Sequence, residues 1–362
     1  MAAPWPAVTE WALPGAISPD HHLQRKPWSC VDTGMRWPDS DHYQNGRFFT
    51  PGAPSQAGVR AMFEWLTHRE KAAWRPWIDT PWGAPPPQRL TAGQLRATFV
   101  NHATVLLQIG ELNIITDPIW SERASPVQFA GPRRHRMPGI RFEDLPPIDV
   151  VLLSHNHYDH LDTGTLLRLR RRDAPTLYCP LGVAESVRRL GFRSIIELDW
   201  WQQERFREVK IHCVPAQHFS ARGPFDRNRT LWCGFRVEAG DGDVLFAADT
   251  GFGPHFAQMA ERFAPPRLAL LPIGAYRPRW FMGPVHMGPE EAVEAHAILS
   301  PMVSVPIHYG TFSLADDGET EPVDHLRALL KERPGQNWRV LNEGEGWIVP
   351  PAAVEALSTV QD

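Results

Sequence analysis

Cysteine is scarce in this sequence: four residues in 362, Cys30, Cys179, Cys213 and Cys233, far apart and with no Cys-x-x-Cys pair. That pattern excludes a thiolate zinc site and a dense disulfide framework, and it fits a reducing compartment, so a cytoplasmic location is expected. Long apolar runs are missing too; none reaches the roughly 18 residues of a membrane-spanning helix. The first twenty residues also lack the basic-then-apolar pattern of a secretory leader. No membrane span is therefore expected, while peripheral contact with a membrane surface stays open. Charge of one sign is absent as well. A formal net charge of -4 supplies no electrostatic ground for a nucleic-acid partner, and the short basic run "RLRRR" at 168–172 reads as a solvated helix face. No internal repeat is present.

What is abundant changes along the chain. Up to about residue 90 the sequence is crowded with Pro and Trp, as in "RKPWSC" and "WRPWIDTPWGAPPPQ", and only "SQAGVRAMFEWLTHREKAAW" has helical spacing, at Met62, Phe63, Leu66 and Ala73. Polar disordered tails are poor in aromatics, whereas this stretch holds about half of the fifteen tryptophans, so it is expected to pack on the main body as an irregular arm. From Arg96 onward short β-rich runs alternate with helices. Strands are expected at 96–109, 112–116, 148–154, 176–180, 194–199, 209–217, 230–239, 243–249, 268–273 and 303–308. Helices are expected at 162–172, 181–190, 254–263, 288–299 and 321–332. Runs such as "VVLL" and "LALL" are apolar throughout, which implies burial on both faces under helices. The fold class is α/β with layered sheets. Residues 1–90 form the extension, 91–350 the catalytic domain and 351–362 a tail.

The chemistry concentrates in "SHNHYDHLD", Ser154 to Asp162, directly after the buried strand "VVLL". Histidines at i and i+2 put both imidazoles on one side of an extended segment, and Asp159 with His160 can turn to a second point after Tyr158. Imidazole and carboxylate are the donors zinc takes where a coordination position stays open. Three downstream strand ends carry further donors: His218, Asp249 and His308. Asp249 can bridge, so His155, His157, His218 and Asp249 would hold one zinc and Asp159, His160, Asp249 and His308 the other. Asp117, ending the strand of "IITDP", is a candidate acceptor for a ligand imidazole's N–H.

These residues, with "HATVLLQIGELNIITDPIWSERASPVQFAGPRR", "LPPIDVVLLSHNHYDHLD", "IIELDWW", "FAADTGF", "PIGAYRPRWFM", "PEEAV" and "IHYGTF" in order, resemble the metallo-β-lactamase superfamily. More narrowly, the chain is similar to its N-acyl phosphatidylethanolamine-hydrolysing phospholipase D family over nearly all of 96–350. The resemblance implies a four-layer αβ/βα sandwich and two zinc ions on the seven positions above. It also implies a phospholipid substrate, cleaved to phosphatidic acid and an N-acylethanolamine, with substrate contacts at Tyr158 and His286. Asn101 departs from the family's usual Gly, and Val285 replaces a familiar polar neighbour of His286.

The residues fit that chemistry independently. Two zincs about 3.5–4 Å apart lower the pKa of a bridging water, and the resulting hydroxide can attack phosphorus in line. Asp159 then orients that hydroxide or relays its proton. His286 either bonds a phosphate oxygen or protonates the leaving alkoxide. Acyl chains need an apolar entrance, for which "AYRPRWFM" (275–282), Trp200, Trp201 and the Trp-rich arm are candidates, with Arg277 and Arg279 near lipid headgroups. Two alternatives remain open: another hydrolase on the same metals, such as a lactonase or soluble phosphodiesterase, and a zinc-stabilised lipid-binding module without turnover. A homodimer is also left open.

Overall fold

The computed structural model describes residues 37–54, 58–240 and 242–351. The chain divides into two compact units, Met1–Pro38 and Asp39–Asp362, and the strands and helices of the described residues belong to the second. The first 36 residues of the expected arm, with Cys30, and all but Pro351 of the expected tail lie outside the described residues.

The rest of the arm lies against the body, held by polar groups at intervals. A small hairpin of β1 (Tyr43–Gln44) and β2 (Arg47–Phe48) is anchored by His42, whose Nε2 lies 2.7 Å from an Asp199 oxygen. Helix α1 (Val59–Thr67) follows. The Trp65 indole N–H donates to Asp316 at 3.1 Å, Arg69 pairs with the same carboxylate at 2.7 Å, and Trp74 donates to the Asp317 carbonyl at 2.8 Å. The expected helix over 55–74 is therefore shorter, because from His68 the chain runs extended along this line of acceptors.

One sheet contains β3 (Leu95–Asn101), β4 (Thr104–Ile109), β5 (Leu112–Thr116), β6 (Val150–Leu152), β7 (Thr176–Pro180), β8 (Ile195–Leu198) and β15 (Gly346–Val349), in the order β15-β3-β4-β5-β6-β7-β8. Helices α2 (Thr163–Arg172) and α3 (Ala184–Arg189) cover its outer face. Leu166, Leu169 and Val187 reach down to Val100, Leu106, Ile115, Val151 and Leu177. Each such fully buried aliphatic side chain contributes about 1.5–3 kcal/mol. The second sheet contains β9 (Gln203–Phe206), β10 (Val209–Val214), β11 (Gly234–Glu238), β12 (Val244–Phe246), β13 (Leu268–Pro272) and β14 (Ser304–Ile307), in the order β14-β13-β12-β11-β10-β9. Its outer face is covered by α4 (His255–Arg262), α6 (Pro289–Leu299) and α7 (Glu321–Glu332), through Phe256, Met259, Val293 and Leu326. A short helix, α5 (Arg279–Met282), lies between β13 and α6. Two mixed sheets flanked by helices make the expected αβ/βα sandwich.

The expected single strand over 96–109 is two strands. Asn101 pairs with Thr104 across a tight turn in which His102 takes φ 49°, a left-handed conformation that Asn, Asp and His adopt more readily than most residues. Strands β5 to β8 are parallel, as are β12 to β14, and β10 runs the same way as β12 because each is antiparallel to β11. The carboxyl ends of these strands form one edge of the sandwich, the usual position for a site in such sheets.

Candidate metal centre

The loop after β6 is fixed before its donors are placed. Asp117, at the end of β5, accepts from the Ser154 backbone N–H at 2.7 Å and its hydroxyl at 2.6 Å. The other edge of the loop ends at Asp162, which caps α2 by accepting from Gly164 N–H at 3.1 Å and also accepts from Ser121 N–H at 3.0 Å. Between these clamps Arg222 donates to the carbonyls of Asn156 and Leu161 at 2.8 and 2.9 Å. The histidines are thus held by groups from three separate parts of the chain.

Seven side chains expected as ligands converge as two groups. His155 Nε2 lies 2.8 Å from His157 Nδ1, which lies 3.2 Å from His218 Nε2. On the other side, His160 Nε2 is 3.2 Å and His308 Nε2 3.5 Å from one Asp159 oxygen. Asp249 stands between: its Oδ2 is 3.1 Å from His160, 3.0 Å from His308 and 3.8 Å from His218. Asp249 thus lies within reach of both groups.

The donor set fits a metal. Three bare imidazole nitrogens about 3 Å apart cannot all satisfy one another, since a neutral ring has one donor and one acceptor. His160 Nε2, His308 Nε2 and Asp249 Oδ1 are buried without a hydrogen-bond partner among the described residues, although carboxylate oxygens lie close by. Meanwhile the opposite nitrogens of three rings are held: His155 Nδ1 by the Ser154 hydroxyl at 2.8 Å, His160 Nδ1 by Asp117 at 2.6 Å, and His218 Nδ1 by the Val285 carbonyl at 2.9 Å. Such partners orient metal-bound imidazoles and set their tautomer.

The electrostatics point the same way. Burial, reinforced by neighbouring imidazoles, pushes His155 well below the usual histidine range and His157 down to about 3. Burial also lowers His218 to about 4 against the pull of Asp249. His308 is buried too, but the Asp249 and Asp159 carboxylates more than offset that and hold it at about 9. Asp159 and Asp249, despite burial, stay well below the carboxylate range because of His160 and their other imidazole neighbours. His160 is buried as well, but the two ionised carboxylates in turn raise it well above the usual histidine range, so His160 and His308 carry the positive charge that a bound cation would otherwise supply.

His286 is buried, with its ring 5.0 Å from that of His218 and 5.3 Å from that of His308. It stands beside His218 and Asp249. Gln217 donates to the Pro284 carbonyl at 3.0 Å and Met287 N–H to the Thr250 carbonyl at 2.8 Å, so both flanks of His286 are tied to strand ends bearing His218 and Asp249. Its Nδ1 has no partner among the described residues. Tyr158 donates its hydroxyl to the Arg222 carbonyl at 2.6 Å, and the Arg222 guanidinium lies 4.0 Å above its ring. His102 was not foreseen. From the β3–β4 turn it places Nε2 3.0 Å from Asp159. The signal was a pair of polar, turn-prone residues, Asn101-His102, inside an otherwise β-forming run.

Residues 112–309 match the β-lactamase superfamily domain. The chain is also 38% identical over 251 residues to an N-acyl-phosphatidylethanolamine-hydrolyzing phospholipase D of Caenorhabditis elegans, covering 66% of this chain and 70% of that protein. It belongs to that phospholipase D family of the β-lactamase superfamily. A mitochondrial enzyme of the same description from Saccharomyces cerevisiae is 34% identical over 227 residues, 61% of this chain and 48% of the yeast protein. Among solved structures, a metallo hydrolase of Ignicoccus hospitalis shares the fold with a TM-score of 0.54 at 22% identity, over 70% of this chain and 98% of that one. This family member is a metal-dependent hydrolase with a metal-binding His/Asp cluster at the carboxyl edge of its strands.

Proposed function

We propose that the protein is a two-zinc phosphodiesterase of the phospholipase D type, which hydrolyses N-acyl phosphatidylethanolamine to phosphatidic acid and an N-acylethanolamine. One observation carries the proposal: two half-sites, His155–His157–His218 and Asp159–His160–His308, share Asp249 at 3.0–3.8 Å. Relatives in C. elegans and yeast bear the name of that activity. Zinc, when bound by these seven residues, would supply Lewis acidity toward phosphoryl oxygens and activate water near neutral pH.

The chain's own groups do the positioning. Asp159 keeps one oxygen among the ligand atoms and, being partly exposed, has the other available to orient the attacking water and take its proton. His286, with Nδ1 lacking a partner among the described residues, hydrogen-bonds a phosphoryl oxygen. Attack by water oxygen on phosphorus breaks the bond to the ethanolamine oxygen, which leaves with a proton. Tyr158 contributes through its ring, since its hydroxyl is engaged by Arg222. It lines a pocket of about 150 Å³ with Ser121, Gln128, Thr163 and Arg222.

The proposed entrance keeps the expected 275–282 stretch and the arm but not Trp200, Trp201 or two free arginines. Trp200 is a core residue, its indole N–H bonded to the Trp232 carbonyl at 2.7 Å, and Trp201 packs against Phe263. Arg277 and Arg279 are paired with Glu321 and Glu291. Apolar surface comes from α1, in the expected arm, and α5, in the expected 275–282 stretch: Met62, Phe63, Leu66 and Trp280 are exposed, and Trp65 stacks on Phe281 at 4.8 Å. Phe129 and Phe225, 84% and 81% exposed, project from the loops that hold Gln128 and Arg222. These residues are proposed to meet a phospholipid surface. Replacing Phe63 and Trp280 with serine is expected to weaken binding to phospholipid vesicles by about tenfold or more, since each buries a large apolar side chain; unchanged sedimentation with vesicles would remove the idea.

The deciding experiment combines metal analysis of the purified chain with mass-spectrometric detection of both products from a panel of lipids, lactones and soluble phosphodiesters. Phosphatidic acid and N-acylethanolamine in equal amounts are expected. Turnover of lactones or soluble diesters alone would redirect the site to another substrate, and two bound zincs with no turnover would make it a binding module.

A further inference from the structure

We propose that His102 is a positioning residue of the metal centre, its imidazole N–H holding the Asp159 carboxylate in the orientation that the second ion requires. This rests on the two-ion reading of the centre. A carboxylate's terminal torsion is broad and roughly two-fold, so the backbone and rotamer of Asp159 do not by themselves fix the plane in which its oxygens face His160 and His308. His102 decides it. Its Nε2 donates at 3.0 Å to the same Asp159 oxygen that lies 3.2 Å from His160 Nε2 and 3.5 Å from His308 Nε2.

The residue is held by its backbone and by ring contacts, while its Nδ1 is buried without a hydrogen-bond partner among the described residues. Its backbone N–H donates to the Thr311 hydroxyl at 3.0 Å, and its carbonyl accepts from His308 N–H at 2.8 Å. Its ring lies 4.1 Å from that of His308 and meets Phe312 edge-on at 5.3 Å. Only a residue that tolerates φ 49° can present its side chain from this tight turn. The turn thereby joins a strand end of one sheet to the His308 strand end of the other, so the orientation of Asp159 is set by the contact between the two sheets. His102 stands close enough to Asp159, His160 and His308 to be a donor itself, but a ligand role through Nε2 would require it to give up its bond to Asp159.

The test uses the full-length chain, stripped by a chelator and reloaded with zinc alone. Uptake is followed by metal analysis and by competition with a chromophoric chelator. His102→Asn suits the left-handed backbone but is too short to reach Asp159. It is expected to keep one ion at wild-type affinity and bind the second about 10- to 100-fold more weakly, as for loss of other groups that orient metal ligands. His102→Gln, whose amide N–H reaches about as far as Nε2, is expected to restore the second ion. A Gln variant as deficient as Asn overturns the hydrogen-bonding role, and an Asn variant that binds both ions like wild type overturns it too. Should His102→Asn fail to fold, judged by circular dichroism and melting of the stripped chain, His102→Gln decides alone: full uptake supports the role and loss of the second ion overturns it. Wild-type chain that takes up fewer than two ions overturns the two-ion reading and this proposal with it.

Discussion

Asp117 is buried beneath the loop of histidines and binds it at three points, through Ser154 N–H, the Ser154 hydroxyl and His160 Nδ1. Asp117→Asn keeps the shape but replaces one acceptor oxygen with a donor that faces other donors. The expected result is a 10- to 100-fold loss in metal affinity or turnover with little change in the melting temperature of the stripped chain, checked by zinc competition. Equal affinity in the variant would mean that His160 needs no orientation. At this scale the sequence was informative wherever a residue's type and place coincided. The HxHxDH spacing, Asp117 at a strand end and the isolated donors His218, Asp249 and His308 were all legible. His102 was not, because the pair Asn101-His102 signals at most a turn, and nothing along the chain shows that this turn faces Asp159. His286 was legible as a loop histidine, but its closeness to His218 depends on hydrogen bonds to Pro284 and Val285 carbonyls from residues nearly seventy positions away.

Elements carry the next set of effects. Asp162 caps α2 and accepts from Trp120 N–H, Ser121 N–H and hydroxyl, Gly164 N–H and Thr165 hydroxyl. Asp162→Ala removes a cap worth about 1 kcal/mol and strands partly buried donors that cost about 1–3 kcal/mol more. A loss of roughly 2–4 kcal/mol in denaturant unfolding is expected, and a loss below about 1 kcal/mol would show that water replaces the carboxylate. The β1–β2 hairpin is expected to depend on pH. Burial lowers the His42 pKa, but hydrogen bonds and attraction from Asp199 and Asp41 outweigh it and raise it above the ordinary value. A histidine raised on folding stabilises fully below its unfolded pKa of about 6.5. That contribution is lost as pH rises through the folded value. Hydrogen exchange at residues 42–49 should therefore quicken, relative to the body, as pH climbs above neutral after correction for intrinsic rates. In His42→Gln the dependence should vanish, and a hairpin equally protected across that window would contradict the assignment. Most strand and helix positions followed from apolar runs and caps. The hairpin, β9 and β15 did not, since "YQ", "RF", "QERF" and "GWIV" are too short or too polar to stand out from loops.

For the whole molecule, the proposed metal centre would fasten the two sheets, with His155, His157, Asp159 and His160 following β6 and His218, Asp249 and His308 following β10, β12 and β14. Ions held at about a thousandfold their Kd contribute about 4 kcal/mol each by mass action. Chelation is accordingly expected to lower the melting temperature by at least about 5 °C, with recovery on adding zinc; no shift on chelation would mean that the centre is preorganised without metal. Gly274 shows how close the packing is, since a Cβ there would sit 2.1 Å from the His308 carbonyl oxygen. By itself the sequence determined the α/β class, the boundaries of most elements and the ligand types, because periodicity, capping and a dense HxHxDH cluster are local properties of the chain. Tertiary structure alone decided which donors share an oxygen, that Trp200 belongs to the core and α1 to the apolar surface, and that His102 reaches Asp159. Those depend on contacts between segments far apart in sequence, whose distances are set by the packing of two sheets and not by any spacing along the chain.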